Sequence, residues 1–296
     1  MTSKGIPIKA VKSVEMDAEK TLDTTENSKK RRAPTTTTTS SSSPAKRVAK
    51  TATTQGSKKK SSASEQQQPE FQDDGKVRCS WAANPKYPLL QQYHDHEWCT
   101  QGGFDRSNRH LFEMLILEGA QAGLSWSTIL HKREAYRRSY DQFDYHLIAN
   151  QYTSPESTNR LLDPESGIVR NRLKIEASMT NARAFVTLLK EFSPDQMALE
   201  DTNGFWTFLQ QYKKEISPAT KKRVQAHIDG KAKGPLEFQT TSAESDRLSA
   251  DLKKRGFKFV GSTIMFSYMQ AVGLEMDEYH HFPSCFLHPL NNKTLD

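Results

Sequence analysis

The 296-residue chain has no apolar run long enough to cross a bilayer, so no membrane-spanning helix is expected. Its N-terminus lacks the basic-then-apolar pattern of a secretory leader. Glu15, Asp17, Glu19 and Asp23 argue against a mitochondrial presequence, which avoids acidic residues. Three cysteines (Cys79, Cys99 and Cys285) are too few for a disulfide framework and suit a reducing compartment. Strand-like alternation of apolar and polar residues is missing, as are internal repeats, which leaves an all-α class. Aromatics are almost absent from residues 1–75, where Phe71 stands alone.

That first quarter is rich in Thr, Ser, Lys, Ala and Gln and contains the run Thr36–Pro44. Such a composition buries too little apolar surface to offset chain entropy, so residues 1–75 are expected to be a disordered tail. A globular composition, with all four Trp and 13 of the 14 Phe, begins at Lys76, giving one expected domain over 76–296. The net charge of +7 is uneven: residues 1–75 carry 14 basic against 9 acidic groups, and the remainder 28 against 26. Between Ser28 and Ser64 ten basic residues stand with no acidic one, clustered at Lys29–Arg32, Lys46-Arg47 and Lys58–Lys60. Clusters of this kind fit nuclear import or loose contact with a polyanion, and a solvated linker is the plainer alternative. A nuclear protein is therefore expected, otherwise one of the cytoplasm or an organelle.

What is present is concentrated in Phe112–Trp126, FEMLILEGAQAGLSW. Leu111, Leu115 and Glu118 fall at i, i+4 and i+7, one face of a helix. A carboxylate on an apolar helix face is costly unless paired or used. Gly119, Ala120, Ala122 and Gly123 then leave steric room before Trp126. Carboxylate, flat aromatic and room together suggest a pocket for a planar, cationic or hydrogen-bond-donating ligand.

Further helices are expected from Trp126 to Tyr140, from an Asp144 cap through Leu147 and Ile148, across Ile175–Leu189, and around Phe205–Leu209. Residues 213–235 are polar, basic and punctuated by Pro and Gly, and read as a surface insertion. Thr241 and Glu244 have the spacing of a capping box ahead of Leu248 and Leu252. Gly256 suits a left-handed helix end, and Gly261 opens an apolar helix (Ile264, Phe266, Tyr268, Met269, Val272) that Gly273 ends. Two helices joined by this short turn would aim backbone N–H groups at a phosphate, with Lys253, Lys254, Arg255 and Lys258 around it. An ordinary helical corner with a solvated basic face is the alternative.

Two more constellations stand out. His281 and Cys285 are four apart and could face one metal, with Cys79 and His94 completing a closed Cys₂His₂ site; His280 and His288 are rival ligands and Cys99 is the spare. Such a site would be structural. Aromatics crowd Trp81, Tyr87, Tyr93 and Trp98, with Trp126 downstream, interleaved with Pro85, His94, Asp95 and Glu97. Any one of them suits core packing; together they suggest stacking surfaces for a nucleobase.

Taken in order, Cys79–Trp81, Asn84–Tyr87, Tyr93–Trp98, Leu111–Trp126, Gly167–Ile175, Asn181–Phe185 and Leu252–Ile264 closely resemble the type I 3-methyladenine DNA glycosylases, over about residues 78–286. The resemblance implies an all-α helix-hairpin-helix glycosylase fold that grips DNA near Gly256, Lys258 and Gly261. It implies a structural Zn²⁺ on Cys79, His94, His281 and Cys285. It also implies a lesion pocket at Glu118, Tyr87, Tyr93, Trp98 and Trp126, with Trp81 and Ser267 nearby. Leu124, beside Gly123, would enter the space left by the flipped base. Glu118 is then the residue that acts in excision, as a recognition and electrostatic group more than a strong general base. The general-base Asp of the wider superfamily is a known absence in the type I family, and Asp277 is better read as a helix-end or loop residue. The expected partner of this hydrolase of N-glycosyl bonds is double-stranded DNA with alkylated bases, bound by a monomer without a membrane. A non-catalytic helix-hairpin-helix DNA-binding module is the alternative from another class.

Overall fold

The computed structural model describes residues 70–98, 105–192, 203–213, 218–229, 231, 239–274 and 285. They form ten α-helices: α1 Pro88–His96, α2 Asn108–Gln121, α3 Trp126–Ser139, α4 Tyr145–Gln151, α5 Pro155–Leu162, α6 Arg172–Phe192, α7 Gly204–Leu209, α8 Pro218–Ile228, α9 Ala243–Lys254 and α10 Ser262–Ala271. No strand occurs among these residues, in keeping with the all-α expectation.

Short polar side chains start several helices. The Ser107 hydroxyl accepts from the His110 N–H (3.2 Å) at α2, and the Ser125 hydroxyl accepts from the Thr128 N–H (3.1 Å) at α3. The Asp144 carboxylate accepts from the Leu147 N–H (2.9 Å) at α4, as its position suggested. The capping box of α9 lies one residue later than Thr241 and Glu244 predict. Ser242 and Ser245 exchange hydroxyl-to-backbone bonds of 3.0 and 2.9 Å, a serine hydroxyl replacing the usual longer N3 side chain. Helices α1, α5 and α8 each begin on a proline, Pro88, Pro155 and Pro218. A proline is favourable at the first helical position, so the residue that reads as a breaker marks a start here, and α8 falls inside the segment expected only as an insertion.

Helix α2 is the axis of the fold. It packs against α3, α6, α7 and α10, and Leu111, Phe112, Met114, Leu115, Ile116 and Leu117 are all buried. Burying each such side chain contributes about 1.5–3 kcal/mol. The Phe112 ring lies 5.0 Å from Phe185, which lies 4.6 Å from Phe205. Asn108, fully buried at the start of α2, accepts from the Phe205 N–H (3.0 Å) and so fixes α7. The chain ahead of α1 docks back on it: the Gln72 N–H donates to Gln91 Oε1, and Gln91 Nε2 donates to the Gln72 carbonyl, both at 2.7 Å.

One buried ion cluster joins α1, α2 and α3. Arg133 Nε donates to Glu113 (2.6 Å), Arg133 Nη1 donates to Glu97 (2.6 and 2.8 Å), and Arg137 Nε reaches the same Glu113 oxygen at 2.9 Å. Burial raises the pKa of Glu113, but the two guanidiniums outweigh it and hold the carboxyl below its ordinary range. Arg133→Met leaves a buried carboxylate short of its main partner, so a loss of about 3 kcal/mol in urea unfolding is expected at pH 7. Adding Glu113→Gln should restore part of it; an Arg133→Met stability equal to wild type refutes the account.

Candidate active site

Glu118 lies near the C-terminal end of α2 and is 5% exposed. Its carboxyl makes no hydrogen bond or ion pair among the described residues, and burial alone pushes its pKa up to about 8. At pH 7 burial favours its neutral form. The buried Tyr268 of α10 feels its charge: the Tyr268 pKa is raised by burial and by Glu118, and its hydroxyl donates to the Leu111 carbonyl (3.2 Å).

After α2 the chain turns through Ala122–Ser125 and enters α3 at Trp126. Gly123 adopts φ +76°, open to glycine at no steric cost, and the next residue, Leu124, is 40% exposed. The buried Trp126 Nε1 is a donor left without a partner among the described residues. A buried donor of this kind can bond an acceptor brought by water or by a ligand.

The rings expected to form a pocket come together as a chain. Trp126 lies 5.3 Å from Tyr93, Tyr93 6.5 Å from Trp81, and Trp81 meets the edge of Trp98 at 5.1 Å. Tyr87 stands apart from these contacts: it caps the start of α1, half-buried, with Lys86 Nζ 5.7 Å over its ring. Ser267 is half-buried on α10 between Phe266 and Tyr268.

The corner between α9 and α10 has two residues at positive φ, Gly256 (+90°) and Phe259 (+53°); Gly261, the N-cap of α10, is ordinary at −63°. No side chain caps α10, and Lys258 is exposed beside it. The corner is held from below by residues that periodicity did not single out. Asn181 on α6 grips the Lys258 peptide on both sides: its Oδ1 accepts from the Lys258 N–H (2.7 Å) and its Nδ2 donates to the Lys258 carbonyl (3.0 Å). The Ser249 hydroxyl donates to the Val260 carbonyl (2.7 Å), and Ser262 contacts Asp246. Gly119, next to Glu118, lies so close that an added Cβ would meet Phe259 Cβ at 3.3 Å. The available signal was a polar residue, Asn181, on the buried face of an amphipathic helix.

A third cluster joins distant parts of the sequence. Cys79, His94 and Cys285 are buried, with ligand atoms all within 4.8 Å of one another and Cys285 Sγ 3.4 Å from His94 Nε2. His94 Nδ1 lies 2.8 Å from Asp95 Oδ1, and Asp95 is clamped by Arg78 Nη2 at 2.7 Å. A carboxylate on Nδ1 keeps the proton there and aims the Nε2 lone pair at the two sulfurs, the usual arrangement behind a metal-binding histidine. This donor set fits Zn²⁺. His281, with the rivals His280 and His288 and the spare Cys99, lies outside the described residues, as does Asp277.

The raised pKa of Glu118 makes stability depend on pH. Between its ordinary 4.5 and about 8 the unfolded chain has lost the proton that the folded chain keeps. Stability therefore falls as pH rises through this window, by up to about 1.4 kcal/mol per pH unit. Glu118→Gln should flatten this contribution in urea midpoints measured from pH 5 to 8 and leave the variant more stable than wild type at pH 8. Parallel pH profiles would contradict a buried, unpaired carboxyl.

The methyladenine glycosylase family profile matches residues 81–288. DNA-3-methyladenine glycosylase 1 of Escherichia coli (strain K12) is 39% identical over 214 residues, covering 72% of this chain and 98% of that protein. DNA-3-methyladenine glycosylase of Haemophilus influenzae is 34% identical over 208 residues, covering 70% and 97%. Among solved structures, a crystal structure of 3-methyladenine DNA glycosylase I aligns with a TM-score of 0.53 at 38% identity, over 72% of this chain and 100% of that one. A phenylalanine-for-tyrosine variant of such an enzyme, in complex with 3-methyladenine, aligns at 0.50 and 29% identity, over 66% and 90%. The ordered motifs, the all-helical architecture and the match across nearly the full length of these relatives agree: the chain belongs to the methyladenine glycosylase family.

Proposed function

We propose that the Glu118 carboxyl and the Trp126 N–H, both without a partner among the described residues, are the contacts a flipped, N3-methylated adenine completes, and this observation carries the functional reading. The protein is a DNA-3-methyladenine glycosylase, a hydrolase of base excision repair. N3-methylation gives adenine a positive charge and weakens its bond to deoxyribose. The base leaves the duplex before a pocket can surround it. Tyr93 and Trp126 offer ring faces that favour a cation over a neutral base by about 0.5–2 kcal/mol per good contact. The cation favours the ionised form of Glu118, so binding releases the carboxyl's proton to solvent, and the carboxylate then accepts from the exocyclic amine. Neutral adenine lacks that driving force and keeps the unstacking cost of a few kcal/mol.

Hydrolysis then needs little general-base strength. Water adds its oxygen to C1′, the C1′–N9 bond breaks with its electron pair going to nitrogen, and the base leaves neutral. The water's proton passes to solvent and an abasic site remains. Glu118 acts by charge and position, Leu124 enters the space the base has left, and the α9–α10 corner, read as a helix-hairpin-helix element, holds the DNA backbone with Gly256, Lys258 and Gly261. The uncapped start of α10 supports that last assignment.

For the metal, Cys79, His94 and Cys285 with His281 would hold one Zn²⁺ in a closed site. The ion would supply cross-linking of the two ends of the domain, with no open position for substrate. The remaining assignments rest on sequence: a nuclear location on the basic clusters of residues 28–64, and a monomer acting on duplex DNA. No helix of the described residues is long and apolar enough to cross a membrane.

Incubated with methylated duplex DNA, the protein should release free 3-methyladenine and leave alkali-labile abasic sites, with the base identified by mass. Glu118→Gln should lower single-turnover release about 100-fold while binding to undamaged duplex stays within twofold; equal losses in both would assign Glu118 to folding alone. Elemental analysis should find one zinc per chain, lost in the Cys79→Ser/Cys285→Ser double variant together with a drop in melting temperature. Zinc retained at full stoichiometry in that variant would refute the ligand set.

A further inference from the structure

Three large apolar side chains are exposed among the described residues: Val77, Leu124 and Leu173. A lone exposed leucine needs no explanation. Leu173 differs because of where it stands. It lies in the first turn of α6 and is 68% exposed, more than Leu124. The adjoining Lys174 leaves its own helix to cap another: its Nζ donates to the Ala120 carbonyl (2.8 Å) and the Ala122 carbonyl (2.6 Å) at the end of α2. The first turn of α6 is thereby held within one lysine side chain of the turn that presents Gly123 and Leu124. Two of the three exposed apolar side chains thus flank one fixed junction.

The charge around Leu173 suits a polyanion. Arg170, Asn171 and Arg172 are exposed, and the first turn of α6 has no acidic residue. The Arg170 guanidinium has no hydrogen bond or ion pair among the described residues. Arg172 has only long surface contacts, 3.6 Å to Glu176 and 3.5 Å to Asn159. The nearest acidic group, Glu176, is exposed one turn further along α6 and faces Arg172.

We infer that Arg170–Leu173 is a second DNA-contacting element, with Leu173 packing into the duplex next to the site Leu124 fills and the two arginines on the flanking phosphates. Lys174 is its positioning residue, setting the spacing between the two leucines. The inference rests on the glycosylase reading of the neighbouring pocket, but it concerns grip on distorted DNA, which can be measured without catalysis. An abasic duplex has a gap into which an apolar side chain can move from water; an intact duplex has none.

The test compares wild type, Leu173→Ala, Leu173→Gln and Leu173→Met for binding to a duplex carrying one tetrahydrofuran abasic analogue and to the same duplex undamaged, by fluorescence anisotropy. Exposed positions tolerate such changes, so urea midpoints should be unchanged. Ala and Gln should weaken binding to the abasic duplex about tenfold, the scale of a partly buried leucine, and Met should retain it. Binding to undamaged duplex should stay within twofold for all. Unchanged affinity of the Ala and Gln variants for the abasic duplex overturns the proposal, and so does an equal loss on both duplexes. Base release by the wild type from methylated DNA, measured separately, decides the glycosylase reading, so failure of one is distinct from failure of the other.

Discussion

A carboxyl group held in an apolar wall, with no bonding partner among the described residues, is the constraint around which the molecule is arranged. Glu118 can occupy that place only because α2 is enclosed by four helices and cannot rotate it outward. In the proposed role, the cost of its ionisation in that setting makes the site respond to a positive ligand: a neutral acid becomes an anion when a cation arrives beside it. The surrounding features follow. Small residues after Glu118 let the chain turn and deliver Trp126 beside Tyr93, with its indole N–H unbonded among the described residues.

Much of this was legible in the residues. The apolar run of α2, the cap at Asp144, the left-handed Gly256 and the end at Gly273 appear where periodicity and glycine chemistry place them. What escaped has a common physical reason. Pro218, at the start of α8, read as loop punctuation because composition alone does not separate a first helical position from a loop. Asn181 and Lys174 act on backbone carbonyls and amides, which carry no residue-type signature, so no pairing of side chains in the sequence discloses them. Ser245 escaped as the partner of Ser242 because its hydroxyl is shorter than the side chain a capping box leads one to expect.

The cysteine–histidine cluster stands against the chain of aromatic rings. His94 stacks on Trp98 at 6.1 Å and meets the edge of Trp81 at 5.1 Å, so the residues that join the two ends of the domain also back the aromatic chain. Arg78, through Asp95, fixes the histidine. The sequence distance from Cys79 to Cys285 is therefore closed at a place where movement of either end would disturb the rings proposed to receive the base.

The bare approach of Gly119 to Phe259 has a mechanical meaning. With no side chain between them, and with Asn181 holding the adjacent peptide, the α9–α10 corner and the helix that carries Glu118 have no slack in which to slide. Corner and pocket then behave as the two jaws of a caliper of fixed span. If DNA is held at the corner as proposed, the acid is offered at a set reach from it, and a nucleotide is gauged first by whether it can be drawn out to that distance and only then by its charge.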